Sequence, residues 1–235
     1  MPGGDAAVDA PVVPPGPVIV FSRTQGFRHT EAIDACKATL PARLEGLGFT
    51  VVVTEDPKAF HDLSAASAVV FAYTSGNNVL DAEGKVEFER FVRAGGGWIG
   101  IHSAADTEYL WPFYQELIVA QFLNHPAVQP AVVDIVDRTH PAMAVLPDGR
   151  WSGTDEWYNF ATNPRGEGVQ ILATIDETSY TGGTMQGDHP MIWAHEQLGG
   201  RVLYSELGHT TARWAETAYV DHVVAAIRWA ARVDN

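Results

Sequence analysis

Three histidines in this 235-residue chain follow short glycine-containing turns. His102 ends the run Gly95-Gly96-Gly97-Trp98-Ile99-Gly100-Ile101-His102, which reads as a helix stop, a short buried strand and a sharp turn. In open α/β sheets ligands collect beyond the carboxyl ends of the strands, and loop residues there carry function more often than packing. An imidazole in such a turn acts as a general base, a general acid or a metal ligand. His209 follows Gly208 after a strand that ends in Glu206, and is expected at a second carboxyl end. His29 opens a helix, where backbone N–H groups also bind oxygen ligands. Arg28 beside it reads either as a substrate contact or as an ion-pair partner.

Asp155-Glu156 places two carboxylates side by side. Neighbours in a strand face opposite sides, so one is expected to face a pocket and the other to anchor a loop or a salt bridge. Both stay candidates for catalysis, with Glu156 favoured. A pocketed carboxylate beside histidines is the set needed for proton transfer at a carbon. Asp106, four residues after His102, either orients that ring or caps a helix. Trp157 and Tyr158 offer aromatic faces that stack on a substrate or pack a core. His125 precedes proline in a turn-like context and is a candidate substrate contact. No His-X-X-X-His or His-Glu-X-X-His spacing occurs. A zinc or manganese ion would therefore need ligands from distant segments, and His29, His102 and His209 are the expected set.

The elements that must hold these groups follow from hydrophobic patterning. Val18–Phe21, Thr50–Thr54, Ala68–Tyr73 and Trp98–Ile101 are apolar runs of strand length. Between them lie a helix from about His29 to Leu47, which Pro41 should kink or split, and a helix capped by Asp81 and stopped by Gly95. A further helix is expected over Trp111–Leu123. This alternation predicts a doubly wound, mostly parallel, flavodoxin-like α/β sheet with helices on both faces. The second half reads as a β-rich insertion. Val128–Val136 carries Pro130 and is expected at an edge or bulge. Asp155–Phe160, Val169–Ile175, Met191–Ala194 and Arg201–Tyr204 follow as short strands, before a last helix over Ala215–Arg232. Residues 1–17, rich in Pro, Ala and Gly, read as a disordered leader, and 18–235 as one domain.

Acidic residues outnumber basic ones 29 to 15, for a net charge of −14. That disfavours nucleic acid and anionic membranes as partners, and no apolar run is long enough to span a bilayer. A small neutral sugar or a metal ion is compatible, as is a homo-oligomer. The leader lacks the features of a signal peptide, so a cytoplasmic location is expected. The single cysteine, Cys36, sits on an apolar helical face and excludes an intrachain disulfide.

The ordered motifs resemble the ThuA-like family, named for trehalose utilisation. They are Gly26-Phe27-Arg28-His29, the Gly95–His102 run, Phe122-Leu123-Asn124-His125-Pro126, His140-Pro141-Ala142, Asp155-Glu156-Trp157-Tyr158, Gly200–His209 and Trp229-Ala230-Ala231. The resemblance implies a class I glutamine amidotransferase-like fold. Those enzymes carry cysteine at the strand-to-helix turn; here the turn carries His102, so thiol-dependent glutamine hydrolysis is not expected. The resemblance also implies sugar catabolism: isomerisation, elimination or hydrolysis of a disaccharide-derived 3-keto-glycoside, downstream of a sugar oxidoreductase. Two alternatives stay open, a non-catalytic carbohydrate-binding or regulatory protein and a metal-dependent hydrolase.

Overall fold

The computed structural model describes residues 16–146 and 149–233. The expected leader lies outside the described residues except for its last two. The first half alternates strand and helix: β1 (Val18–Phe21), α1 (Thr30–Glu45), β2 (Val51–Thr54), β3 (Ala68–Ala72), α2 (Ala82–Arg93), β4 (Gly97–Ile101) and α3 (Pro112–Ile118). The second half carries β5 (Phe122–Asn124), β6 (Gln129–Ile135), α4 (Pro141–Ala144), β7 (Arg150–Asp155), β8 (Asn159–Phe160), β9 (Gln170–Ile175), β10 (Pro190–His195), β11 (Val202–Ser205), α5 (Thr211–Ala215) and α6 (Thr217–Ala230). One nine-stranded sheet runs in the order β2-β1-β3-β4-β11-β10-β9-β6-β7. Its first five strands are parallel, and β10, β9, β6 and β7 add as antiparallel neighbours. The mostly parallel α/β sheet and the β-rich second half are those expected from the sequence.

The parallel strands are apolar throughout because both faces are covered. Val18, Val20, Val70, Ala72, Ile99 and Ile101 pack with α1 and α6, while Ile19, Phe21, Val69, Phe71 and Trp98 pack with α2 and α3. Asp81 caps α2 by accepting from the Gly84 N–H at 2.8 Å.

Four local expectations are corrected. Pro41 does not split α1, which continues to Glu45. Burial of Leu40 and Leu44 on either side, at about 1.5–3 kcal/mol each, offsets the lost hydrogen bond. The helix at Trp111 stops at Ile118, because Val119 takes a left-handed φ of 69° and leads into β5. Asp155–Phe160 is not one strand: β7 ends at Asp155 and β8 begins at Asn159. Finally, β6 is interior and β7 is the edge.

The register of β6 positions the site. Its pairing with β9 begins at Val133, opposite Ile175, whereas its pairing with β7 begins at Gln129, opposite Asp155. Residues 129–132 and their β7 partners thus run on beyond β9, by roughly 13 Å at about 3.3 Å per residue. Pro130 lies in this stretch, which β9 does not flank. The overhanging ribbon carries the end of β7 to the carboxyl ends of the central strands.

Candidate functional site

The turn after β4 holds His102 at φ +50°, a left-handed backbone that few non-glycine residues adopt. The ring is fully buried. Its Nδ1 donates to the Glu206 carbonyl at 2.7 Å, which fixes the tautomer and turns the Nε2 lone pair toward the other groups. Tyr158 lies against the ring with centroids 4.3 Å apart. The Tyr204 hydroxyl donates to the His102 carbonyl at 2.9 Å and holds the turn from beneath.

Glu156, in the loop after β7, is the hub. Its Oε2 lies 3.3 Å from His102 Nε2, 3.0 Å from His209 Nδ1 and 3.6 Å from His29 Nε2. Its Oε1 lies 3.0 Å from His125 Nδ1. His29 immediately precedes α1, with its ring 4.8 Å from that of His102 and 5.0 Å from that of His209. Segments far apart in sequence thus bring His29, His102, Glu156 and His209 together, with one ligand atom from each within 4.8 Å of the others. The expected three-histidine set converges, and Glu156 is a fourth donor beyond it.

Charge in this cluster is set by burial and by the partners. Burial alone would raise the Glu156 pKa, but the imidazoles of His102, His209 and His29 packed around it outweigh it and hold the carboxyl well below its usual range. Burial lowers His29 to about 4 against the pull of Glu156. For His209 burial works downward too, yet the Glu156 carboxylate prevails and raises it. The His29 Nδ1 is buried without a partner. Imidazole lone pairs and a carboxylate facing one centre repel unless a proton or a cation lies between them. Three nitrogens and one oxygen are a donor set that zinc or manganese accepts.

Asp155 does different work from its neighbour. Oδ1 accepts from the N–H groups of Glu156 and His209, both at 3.0 Å, and Oδ2 accepts from the Gly208 N–H at 3.0 Å and Arg213 Nε at 2.9 Å. Fully buried and fully engaged, it is a scaffold for the loops that carry Glu156 and His209, the anchoring alternative expected for one of the two carboxylates. Trp157 is corrected: it is buried in the core and donates from Nε1 to the Gln129 carbonyl at 2.8 Å, with no face for a sugar. Tyr158 is buried too, and its ring packs on His102 and on Phe122. Asp106 makes no hydrogen bond to His102; it accepts from the Tyr109 hydroxyl at 2.7 Å. The Arg28 guanidinium pairs with Glu55 at 2.8 Å, the ion-pair alternative, at the rim of a cavity of about 280 Å³ lined also by Phe27, His29, Thr30 and His209.

Cys36 is buried on α1, where burial pushes its thiol pKa up, so no nucleophilic thiol faces the site. Two supports were not foreseen. Glu206 gives its carbonyl to His102 and its Oε1 to the Tyr158 N–H at 3.0 Å. Burial, with the charge of Asp155, raises its carboxyl pKa well above the usual value. Arg213 bonds Asp155 and stacks on Trp151 at 4.3 Å. Position after β11 was the available signal for Glu206; Arg213 had none.

A parallel sheet with a histidine at the strand-to-helix turn and no thiol defines an amidotransferase-like scaffold without the amidotransferase nucleophile. A glutamine amidotransferase from Thermotoga maritima superposes with a TM-score of 0.54 at 11% identity, covering 92% of this chain and 98% of that one. The chain belongs to the ThuA family, described as trehalose utilisation, whose model matches residues 17–230. A ThuA-like protein from Bacteroides uniformis is 22% identical with a TM-score of 0.80, over 96% of this chain and 95% of that one. One from Parabacteroides merdae is 19% identical with a TM-score of 0.74, over 94% and 91%. No curated protein matches the sequence. The family ties the chain to sugar metabolism. Among the described residues no helix is long and apolar enough to cross a membrane.

Proposed function

We propose that this chain is a carbohydrate-processing enzyme that binds a divalent cation, zinc or manganese, through His29, His102, His209 and Glu156. Its reaction is general acid–base chemistry on a disaccharide-derived 3-keto-glycoside. The observation that carries this reading is the convergence of three imidazole nitrogens and one carboxylate oxygen within 4.8 Å. The family description supports the substrate class. A cation held there would supply Lewis-acid polarisation of a substrate oxygen.

The chain's own residues do the rest. Glu206 holds His102 in the one tautomer that presents Nε2. Asp155 holds the backbones of Glu156 and His209. His125 stands outside the four donors, is the most exposed histidine of the group, and reaches the far oxygen of Glu156. That position suits a proton carrier between substrate and solvent. A ketone acidifies the neighbouring C–H. Loss of that proton to a base, with the electron pair passing toward the glycosidic carbon, expels the glycosidic oxygen, which leaves with a proton. The ketone itself must come from a sugar oxidoreductase acting upstream.

Elemental analysis of tag-free protein, with mass spectrometry of 3-keto-trehalose incubated with and without chelator, tests the reading. The expected result is about one equivalent of cation, lost in His102→Ala and His209→Ala, and a chelator-sensitive product. Trace metal only, and no product with added zinc or manganese, would overturn it.

A further inference from the structure

Phe27 is the one exposed aromatic residue among those described, with 67% of its surface in water. It is not a loose loop residue. Its carbonyl accepts from Ser75 Oγ at 2.5 Å, and the preceding N–H groups of Gln25 and Gly26 both reach the Ser75 carbonyl, at 2.7 and 3.1 Å. Gly76 sits at φ +78° so close that a Cβ there would come within 2.6 Å of the Gly26 nitrogen. On the other side Arg28 ties the loop to Glu55 at 2.8 Å. The backbone is therefore fixed in advance, and a ring on a fixed backbone loses little freedom on meeting a ligand.

The ring stands at the mouth of the site. It lines the same cavity as His29 and His209, and its centroid is 4.8 Å from that of His29, nearly edge to face. The cavity, about 280 Å³, is at the small end for a ligand pocket. A two-ring substrate that puts one ring against the histidines must lay the other across the rim. Around Phe27 the exposed neighbours are Gln25, Gly26, Thr30 and Glu31, with Arg28 half-buried. One apolar face ringed by hydroxyl, carboxylate and guanidinium groups matches a sugar, whose C–H face is apolar and whose edge is all hydroxyls. A lone ring is far below the contiguous apolar area that marks a protein interface.

We propose that Phe27 is the platform for the second ring of the substrate: it stacks on the C–H face of the hexose distal to the bond being processed and so selects disaccharides over monosaccharides. This specificity role rests on the reading of the site as a glycoside-processing centre.

The test measures binding of trehalose and of glucose by ligand-observed NMR to wild type, Phe27→Ala and Phe27→Trp, with thermal melts and sedimentation alongside. Trehalose affinity is expected to fall about 3- to 10-fold in Phe27→Ala, the order a single aromatic contact supplies. Glucose affinity should change less than about two-fold on the same reasoning. Phe27→Trp should restore trehalose binding, and the melts should coincide because the ring is exposed. Equal trehalose affinity in wild type and Phe27→Ala overturns the proposal. So does a change confined to self-association, which would assign the ring to a protein contact. Phe27-dependent trehalose binding without turnover of any keto-glycoside leaves the platform standing and sinks the enzymatic reading; turnover with an unchanged KM in Phe27→Ala does the reverse.

Discussion

Adjacent carboxylates divide the labour at the centre of this site. Glu156 presents both oxygens to histidines, whereas Asp155 spends both on backbone and Arg213. The division follows from where β7 stops: Asp155 is its last residue and Glu156 the first of the loop. Opposite facing of strand neighbours already predicted such a division; where the strand stops was not legible, because the break is set by pairing with β6 and not by residue type. Removing the Asp155 charge leaves Arg213 buried beside a neutral amide, with only the half-exposed Glu216 at 2.9 Å to balance it. Asp155→Asn should therefore destabilise the fold by about 3 kcal/mol, the lower end for breaking a buried ion pair. Urea unfolding measures this; an unchanged midpoint would show that Arg213 and the loop find other partners. Cation stoichiometry should fall in the same variant, since the N–H groups of Glu156 and His209 lose a shared anchor.

At the scale of elements, the segment from β11 to α5 is held by a layer of hydroxyls. Tyr73 donates to the Gly208 carbonyl at 2.6 Å, Trp214 donates to Tyr73 at 2.7 Å, and Tyr219 donates to the Leu207 carbonyl at 3.1 Å. Gly208, at φ +118°, passes so close that a Cβ would meet the Tyr219 hydroxyl at 2.2 Å and that of Tyr73 at 2.7 Å. Gly208→Ala should cost about 2 kcal/mol or more and displace His209, with activity falling on the order of 10²-fold for a shift near 1 Å. Adding Tyr219→Phe removes the nearest atom and should recover part of the stability. No recovery in the double variant, followed by thermal unfolding, would place the strain in the backbone alone. The parallel half of the sheet was legible because strands covered on both faces read as unbroken apolar runs, as in Val18–Phe21 and Ala68–Ala72. The overhang of β6 and β7 was not, because it depends on where β9 ends relative to Val133. His29, His102 and His209 could be found because turns after strands and before helices are local features, and Glu156 because only one of two adjacent carboxylates faces a pocket; the route by which the overhang brings Glu156 to the histidines was not legible.

Across the whole molecule, the layers on one side of the sheet are joined by a histidine remote from the site. His222 on α6 is fully buried; its Nδ1 donates to the Ala142 carbonyl of α4 at 2.8 Å, and its Nε2 accepts from the Ser205 hydroxyl of β11 at 3.1 Å. Both nitrogens are satisfied in the neutral ring, and there is no carboxylate among these partners to favour the charged form. Burial accordingly lowers its pKa from 6.5 to about 4, against the pull of the Ala142 carbonyl. The unfolded chain takes up this proton first as the pH falls. The stabilisation from His222 is therefore complete above about pH 6.5, shrinks as the pH drops toward 4, and levels off below that. A shift of this size corresponds to about 3 kcal/mol. Other buried groups titrate in the same window, so the informative quantity is a difference between proteins. His222→Gln keeps one donor and one acceptor without the titration. Urea unfolding at pH 7.5 and 4.5 should show a drop in stability about 3 kcal/mol smaller in His222→Gln than in wild type. Equal drops in the two proteins would mean that protonated His222 finds a partner within the fold, and that the contact of α4, α6 and β11 loosens to admit one.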